Sequence, residues 1–205
     1  LDWGDPFAQC RNLTWLRCAP PESMPVYFPP NLRELTLEFA SRPAFFWDKI
    51  PRTVTSLTTM TTRKPLTHHT CFEKDFEKLP RGLTTLHTHE MTKMDDAATL
   101  AAGMPSGLTS LVIKRITLAA LEVLPATLTE IESGFEKHTD VVLKKQLKQL
   151  FPELRSARLF TNNFFQVPDA IIEALPFEQL TNINFGMQMT VPTSVWTRLS
   201  PNLIP

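Results

Sequence analysis

The sequence predicts an α/β repeat solenoid, right-handed, with one parallel β-sheet on its concave face and short irregular helices on its convex face. Three observations predict it: a triplet of apolar anchors recurs along the chain, a proline precedes almost every copy, and the stretches between copies carry helical spacing. The composition allows a packed core, since 42% of the 205 residues are hydrophobic. Two excesses call for an explanation, 18 prolines and 25 threonines, against only six glycines.

The repeat is visible in FPPNLRELTL (28–37), IPRTVTSLTT (50–59), LPRGLTTLHT (79–88), MPSGLTSLVI (104–113) and LPATLTEIES (124–133). Looser copies are QCRNLTWLRC (9–18), FPELRSARLF (151–160) and LPFEQLTNINF (175–185). The first anchors are Leu13, Leu32, Val54, Leu83, Leu108, Leu128, Leu154 and Leu180, spaced 19 to 29 residues apart. Leu203 either begins a ninth unit or belongs to a cap, and residues 1–205 are expected to form a single domain. Along x-L-x-L-x the side chains alternate, so the anchors point inward and the x positions outward. One such strand cannot bury its apolar face alone; stacking on its neighbours creates a continuous core.

Proline stands two to four residues before the first anchor in seven of the eight units: Pro30, Pro51, Pro80, Pro105, Pro125, Pro152 and Pro176. It has no N–H to donate and disfavours helix in the residue before it, so it ends each preceding segment. Between the strands, helical spacing is found in Cys71–Leu79, Asp95–Ala102, Thr117–Leu124, Asp140–Leu150, Pro168–Leu175 and Thr193–Leu199. The segments Pro20–Pro25 and Ser41–Trp47 read as extended or irregular.

On these residues the chain resembles leucine-rich-repeat proteins over essentially its whole length. Its L-P-x-x-L-T-x-L flavour is similar to the FNIP-type repeats of amoebae and giant viruses, and to the L-P-x-L repeats of secreted bacterial effectors. The tetrapeptide that names the first group is absent. The family's asparagine eight residues after the first anchor is present only as Asn162, which predicts less uniform turns after the strands. The resemblance implies a non-catalytic protein-interaction module. It also implies a second possibility, the recognition arm of a ubiquitin-ligase or effector complex. A self-associating structural or surface protein is a third.

The strand register gives three outward columns. The first is Trp15, Glu34, Ser56, Thr85, Ser110, Glu130, Ser156, Asn182; the middle is Arg17, Thr36, Thr58, His87, Val112, Glu132, Arg158, Asn184. The third is Ala19, Glu38, Met60, His89, Lys114, Gly134, Phe160, Gly186. At about 4.8 Å per strand, eight strands span roughly 35–40 Å, which suits a protein or peptide better than a small molecule. The contact candidates are Trp15, Arg17, Glu34, Glu38, Met60, His87, His89, Lys114, Glu132, Arg158, Phe160 and Asn184. Threonine at outward positions is equally expected without any ligand, because it is a good strand residue. Inward Thr59 and Thr88 are expected either to bond neighbouring backbone or to sit where water reaches in.

No enzyme signature is present: no phosphate-cradling glycine loop, H-E-x-x-H, G-x-S-x-G or C-x-x-C. No catalytic residue, metal or cofactor is therefore assigned. His87 and His89 face the same side of one strand but make an incomplete zinc site, with His68, His69 and Cys71 placed on the outer segment. A proton-sensitive contact patch is the better reading of the pair. Lys144, Lys145 and Lys148 read as a solvated helix face, and Asp95-Asp96 as a helix start.

Zero formal net charge offers no bulk attraction to nucleic acid, which is not expected as a partner. No apolar run is long enough to span a membrane. Cys10, Cys18 and Cys71 are too few for a disulfide framework, though a Cys10–Cys18 bridge is conceivable beside simple burial. Asn12-Leu13-Thr14 fits the glycosylation pattern at a frequency chance supplies. The start at Leu1 is expected of a mature or trimmed chain. The compartment is open, with the cytoplasm preferred, and homo-oligomerisation is compatible with the repeats.

Overall fold

Each repeat opens on a tight turn. The computed structural model describes residues 10–19, 27–39, 47–61, 73–88, 97–135, 147–159 and 169–185. In it an i→i+3 backbone bond of 3.0–3.2 Å closes the turn before every strand, from Leu13 N–H to the Cys10 carbonyl through to Gln179 N–H to the Pro176 carbonyl. Pro51, Pro80, Pro105 and Pro125 supply the accepting carbonyl, whereas Pro30 and Pro152 occupy the next position, where their fixed φ suits a turn. No described residue has positive φ, so these turns need no glycine, and a glycine-poor chain can close all of them.

The strands follow directly: β1 Trp15–Cys18, β2 Glu34–Phe39, β3 Ser56–Thr61, β4 Thr85–Thr88, β5 Ser110–Ile116, β6 Glu130–Phe135, β7 Ser156–Leu159 and β8 Asn182–Phe185. They form one eight-stranded parallel sheet in chain order, β1 to β8. This is the leucine-rich-repeat type of solenoid that the sequence predicts. The register aligns the first column from Trp15 to Asn182 and the middle column from Arg17 to Asn184 without a break. Beneath the sheet the anchors merge into a single apolar core running from Leu16 to Leu180. Val112 keeps its outward place in the middle column but is only 7% exposed, a short side chain in register between the longer His87 and Glu132.

The third column is corrected at β5. The register skips from Ile113 to Arg115, so Arg115, not Lys114, pairs with Gly134. Ile113 and Ile116 are both buried yet lie three residues apart, which a period-two strand cannot place on one face. A bulge at Lys114 resets the phase and brings Ile116 inward.

The outer layer consists of α1 Ala97–Gly103, α2 Leu118–Leu121, α3 Leu147–Leu150 and α4 Asp169–Ala174, with 3-10 helices at Trp47–Lys49 and Glu73–Lys78. The helix read over Cys71–Leu79 takes 3-10 form at Glu73–Lys78, while the reading of Ser41–Trp47 is revised at its end, where Trp47 opens a helical turn. Phe76 and Leu79 lie three apart and are both buried, as are Trp47 and Ile50, a spacing that fits three residues per turn. Residue positions 193–199 and 203 lie outside the described residues, as do 140–146 of the helix expected at Asp140–Leu150. Of the positions expected to hold the family's turn asparagine, only Ile116 is described; there the chain passes straight into α2, with Thr117 Oγ1 accepting from Ala120 N–H at 3.2 Å.

Adjacent outer segments pack closely at one point. A Cβ added to Gly103 would lie 2.7 Å from Phe76 Cβ and 2.8 Å from the Glu77 nitrogen. Arg81 Nη1 donates to the Gly103 carbonyl at 3.2 Å, satisfying the end of α1. Gly103→Ala, ordinarily favourable in a helix, is therefore expected to destabilise the chain by about 1–3 kcal/mol in denaturant unfolding, because backbone must move to admit the methyl.

The threonine excess has a structural cause that strand propensity does not supply. At each of seven junctions, the carbonyl of the residue after a first anchor accepts two N–H groups from the next repeat, at 2.8–3.1 Å. Where the next repeat has threonine there, its hydroxyl donates to the same carbonyl: Thr55 to Arg33, Thr84 to Thr55, Thr109 to Thr84, Thr129 to Thr109 and Thr181 to Arg155, at 3.1–3.3 Å. Thr59 and Thr88 behave differently. They are 1% and 3% exposed, pair in register, and their hydroxyls have no hydrogen-bond partner, so neither backbone bonding nor water access holds. Threonine-to-valine exchange should thus change sign with position. Thr129→Val should cost about 0.5–1 kcal/mol, whereas Thr88→Val should gain about 1 kcal/mol by removing a buried unsatisfied hydroxyl, both read from denaturation midpoints. Equal effects of the two would contradict the ladder.

Candidate interaction surface

The outward face of the sheet carries the predicted contact residues as three separate polar groups. At one end, Arg17 Nε donates to Glu38 Oε1 across β1 and β2, on a diagonal of the register. Met60 is half-buried opposite Glu38, and Trp15 on the edge strand is 54% exposed. Toward the other end, Arg158 Nη1 donates to Glu132 Oε2 at 3.3 Å between residues directly opposite in register. Asn184 is exposed on β8. Exposed pairs of this kind contribute roughly 0–1 kcal/mol each, so they set orientation more than stability.

Between these pairs lies a chain of hydrogen bonds that column positions alone do not reveal. Ser110 Oγ donates to Glu130 Oε2 at 2.7 Å, and His87 Nε2 lies 3.0 Å from the same Ser110 oxygen. The serine proton is committed to a carboxylate that can only accept, so His87 Nε2 must carry the hydrogen it shares with Ser110. This polarity is the reverse of a histidine base activating a serine nucleophile. Ser110 and Glu130 belong to the first column and His87 to the middle one. Sequence reasoning left both partners out of the contact set: Ser110 and Glu130 stand directly opposite in register, but the diagonal lean of His87 onto Ser110 is not encoded in column order.

Glu34 is exposed and makes no ion pair with a described residue. His89 and Phe160 lie outside the described residues, and Lys114 is placed by its backbone alone. Among the described residues no group of three His, Cys, Asp or Glu side chains could hold a metal ion; His68, His69 and Cys71 are outside them. Nor is any described helix long and apolar enough to cross a membrane.

A cleft of about 480 Å³ opens beside the turn at Pro80–Gly82. Asp48 and Glu77 face Arg52, Lys78 and Arg81 around it, over Ile50 and Leu79, and Arg81 is engaged by the α1 carbonyls. Its lining mixes acidic and basic side chains.

The conceivable Cys10–Cys18 bridge is not formed; neither cysteine is in a disulfide. Cys18 fills the third anchor of the first repeat, partly buried against the core. Burial first, and then the nearby Glu38 carboxylate, push its pKa from 9.0 up to about 11. Because the raised value favours the neutral thiol, the thiolate population near pH 8 falls roughly 100-fold below that of an unperturbed cysteine. Alkylation of Cys18 by iodoacetamide, followed by mass spectrometry, should therefore be slow at pH 8 and climb with a midpoint near pH 11. A midpoint at or below 9.0 would contradict the buried placement.

The sequence matches no protein-family model and no curated protein. Among solved structures, the chain is similar to the leucine-rich repeat-containing protein LegL7 from Legionella pneumophila, at 15% identity over 87% of this chain and 75% of that one, with a TM-score of 0.40. The architecture described above rests on the chain's own register.

Proposed function

We propose that this chain acts as a single-domain, non-catalytic module that binds a protein or peptide on the open, concave face of its sheet. The observation that carries the reading is the uninterrupted register of eight strands, which lays two outward columns side by side over roughly 34 Å. A surface of that length, built of half-buried hydroxyls with charged pairs at intervals, offers many small contacts along an open face, as an extended macromolecular partner requires.

Selection from a displayed random-peptide library against the whole chain tests the reading. Enriched peptides should lose at least tenfold in affinity when Glu34→Lys, His87→Glu and Arg158→Glu are combined on the face, and should be insensitive to Glu153→Lys on a turn. Failure to enrich any peptide, or equal loss with the turn variant, would overturn it.

A further inference from the structure

The open face is electrostatically uneven once its internal pairs are accounted for. Arg17 is engaged by Glu38 and Arg158 by Glu132. Two first-column carboxylates, Glu34 on β2 and Glu130 on β6, then stand exposed without a cationic partner among the described residues. Between them in register are Ser56, Thr85 and Ser110, all small hydroxyl side chains. On the far side of Glu34, in the same column, stands the exposed indole of Trp15. Along the sheet the column thus reads aromatic, acid, three hydroxyls, acid.

We propose that this column binds an extended peptide segment bearing two cationic side chains, one held between Trp15 and Glu34 and the other at Glu130. The proposal rests on the docking reading above and specifies the partner's chemistry. From β2 to β6 are four strand steps of about 4.8 Å, or roughly 19 Å, and an extended peptide advances about 3.3 Å per residue. The two cations therefore lie about six residues apart. Six is even, so both side chains fall on the face of the peptide that meets the sheet. Residues at the second and fourth positions between them meet the hydroxyl floor.

Arginine suits both ends better than lysine. Its planar guanidinium stacks on an indole while forking onto a carboxylate. At Glu130 one oxygen already takes the Ser110 hydroxyl, which orients the carboxylate across the column and leaves acceptor capacity for the ligand. The same two carboxylates repel a phosphate backbone, so the chemistry selects a basic peptide against nucleic acid.

Fluorescence anisotropy with the full chain tests this, using labelled Arg-Thr-Ser-Thr-Ser-Thr-Arg and a control of equal length and charge with the second arginine one position earlier. The first peptide is expected to bind at low ionic strength and to outcompete the control. Glu34→Gln and Glu130→Gln should each weaken it about 2–5-fold, and Trp15→Ala by a similar factor, with the carboxylate effects vanishing at 1 M salt. All three residues are exposed, so the variants should unfold like the parent, a point checked by circular dichroism. Absence of binding at low salt, equal binding of both peptides, or indifference to both glutamine variants would overturn the proposal. If library-selected peptides lacking basic residues still depend on the face while the arginine peptide fails, this proposal falls and the docking reading stands. If selected peptides ignore the face, the docking reading falls and takes this one with it.

Discussion

One backbone carbonyl per repeat fixes the geometry on which the rest depends. It belongs to the residue after each first anchor, from Thr14 to Arg155, and it accepts two N–H groups of the following repeat at every described junction. A parallel sheet has no hairpin turn to set its register, and a one-residue slip would exchange core and solvent faces. Here the proline turn delivers the chain, and the shared carbonyl then locks the first strand residue opposite its counterpart. Threonine adds a third donor at five of these junctions, while the Thr14 and Thr129 carbonyls, which meet Arg33 and Arg155 in the next repeat, accept the two N–H groups alone. With more donors than lone pairs, each such carbonyl serves as a three-centre acceptor, and the contributions of individual donors are correspondingly modest.

Because the lock is applied at the start of every strand, the columns nearest it are the most regular. The first and middle columns are continuous through all eight strands. Farther along, β5 has slipped at its bulge before it reaches the third. The functional candidates inherit this gradient. Those near the lock, from Trp15 to Asn184, sit in predictable rows, whereas Lys114, farther along its strand, falls at the bulge.

The same gradient explains what was legible in the sequence. The period-two anchors disclosed the fold, the strand order and the partners of directly opposed residues such as Glu132 and Arg158. The ion pair of Arg17 with Glu38 and the bond of His87 to Ser110 run diagonally, and their geometry depends on side-chain lean that spacing does not record. The bulge was legible in principle: Ile113 and Ile116 are three apart, incompatible with an unbroken strand that buries both. So was the 3-10 turn at Trp47, since Trp47-x-x-Ile50-Pro51 repeats Phe76-x-x-Leu79-Pro80. The threonine ladder was hidden by an adequate simpler account, that threonine favours strands, which predicts its presence but not its hydrogen bonds.

Neutrality, finally, has a different meaning on this face than in the composition. Twenty-one acidic and 21 basic residues cancel over the chain, and the obvious expectation is a surface without electrostatic preference. Yet cancellation on the sheet is achieved pair by pair, and each pair removes its arginine from play. A cation bonded to its neighbour contributes little field at the distance of a partner, because the two opposite charges screen one another there. Among the described residues of the first column, the charges left unpaired are the carboxylates of Glu34 and Glu130. Local pairing, which contributes little to stability in these exposed positions, thereby leaves a neutral chain with these two carboxylates unpaired in one column of its sheet among the described residues.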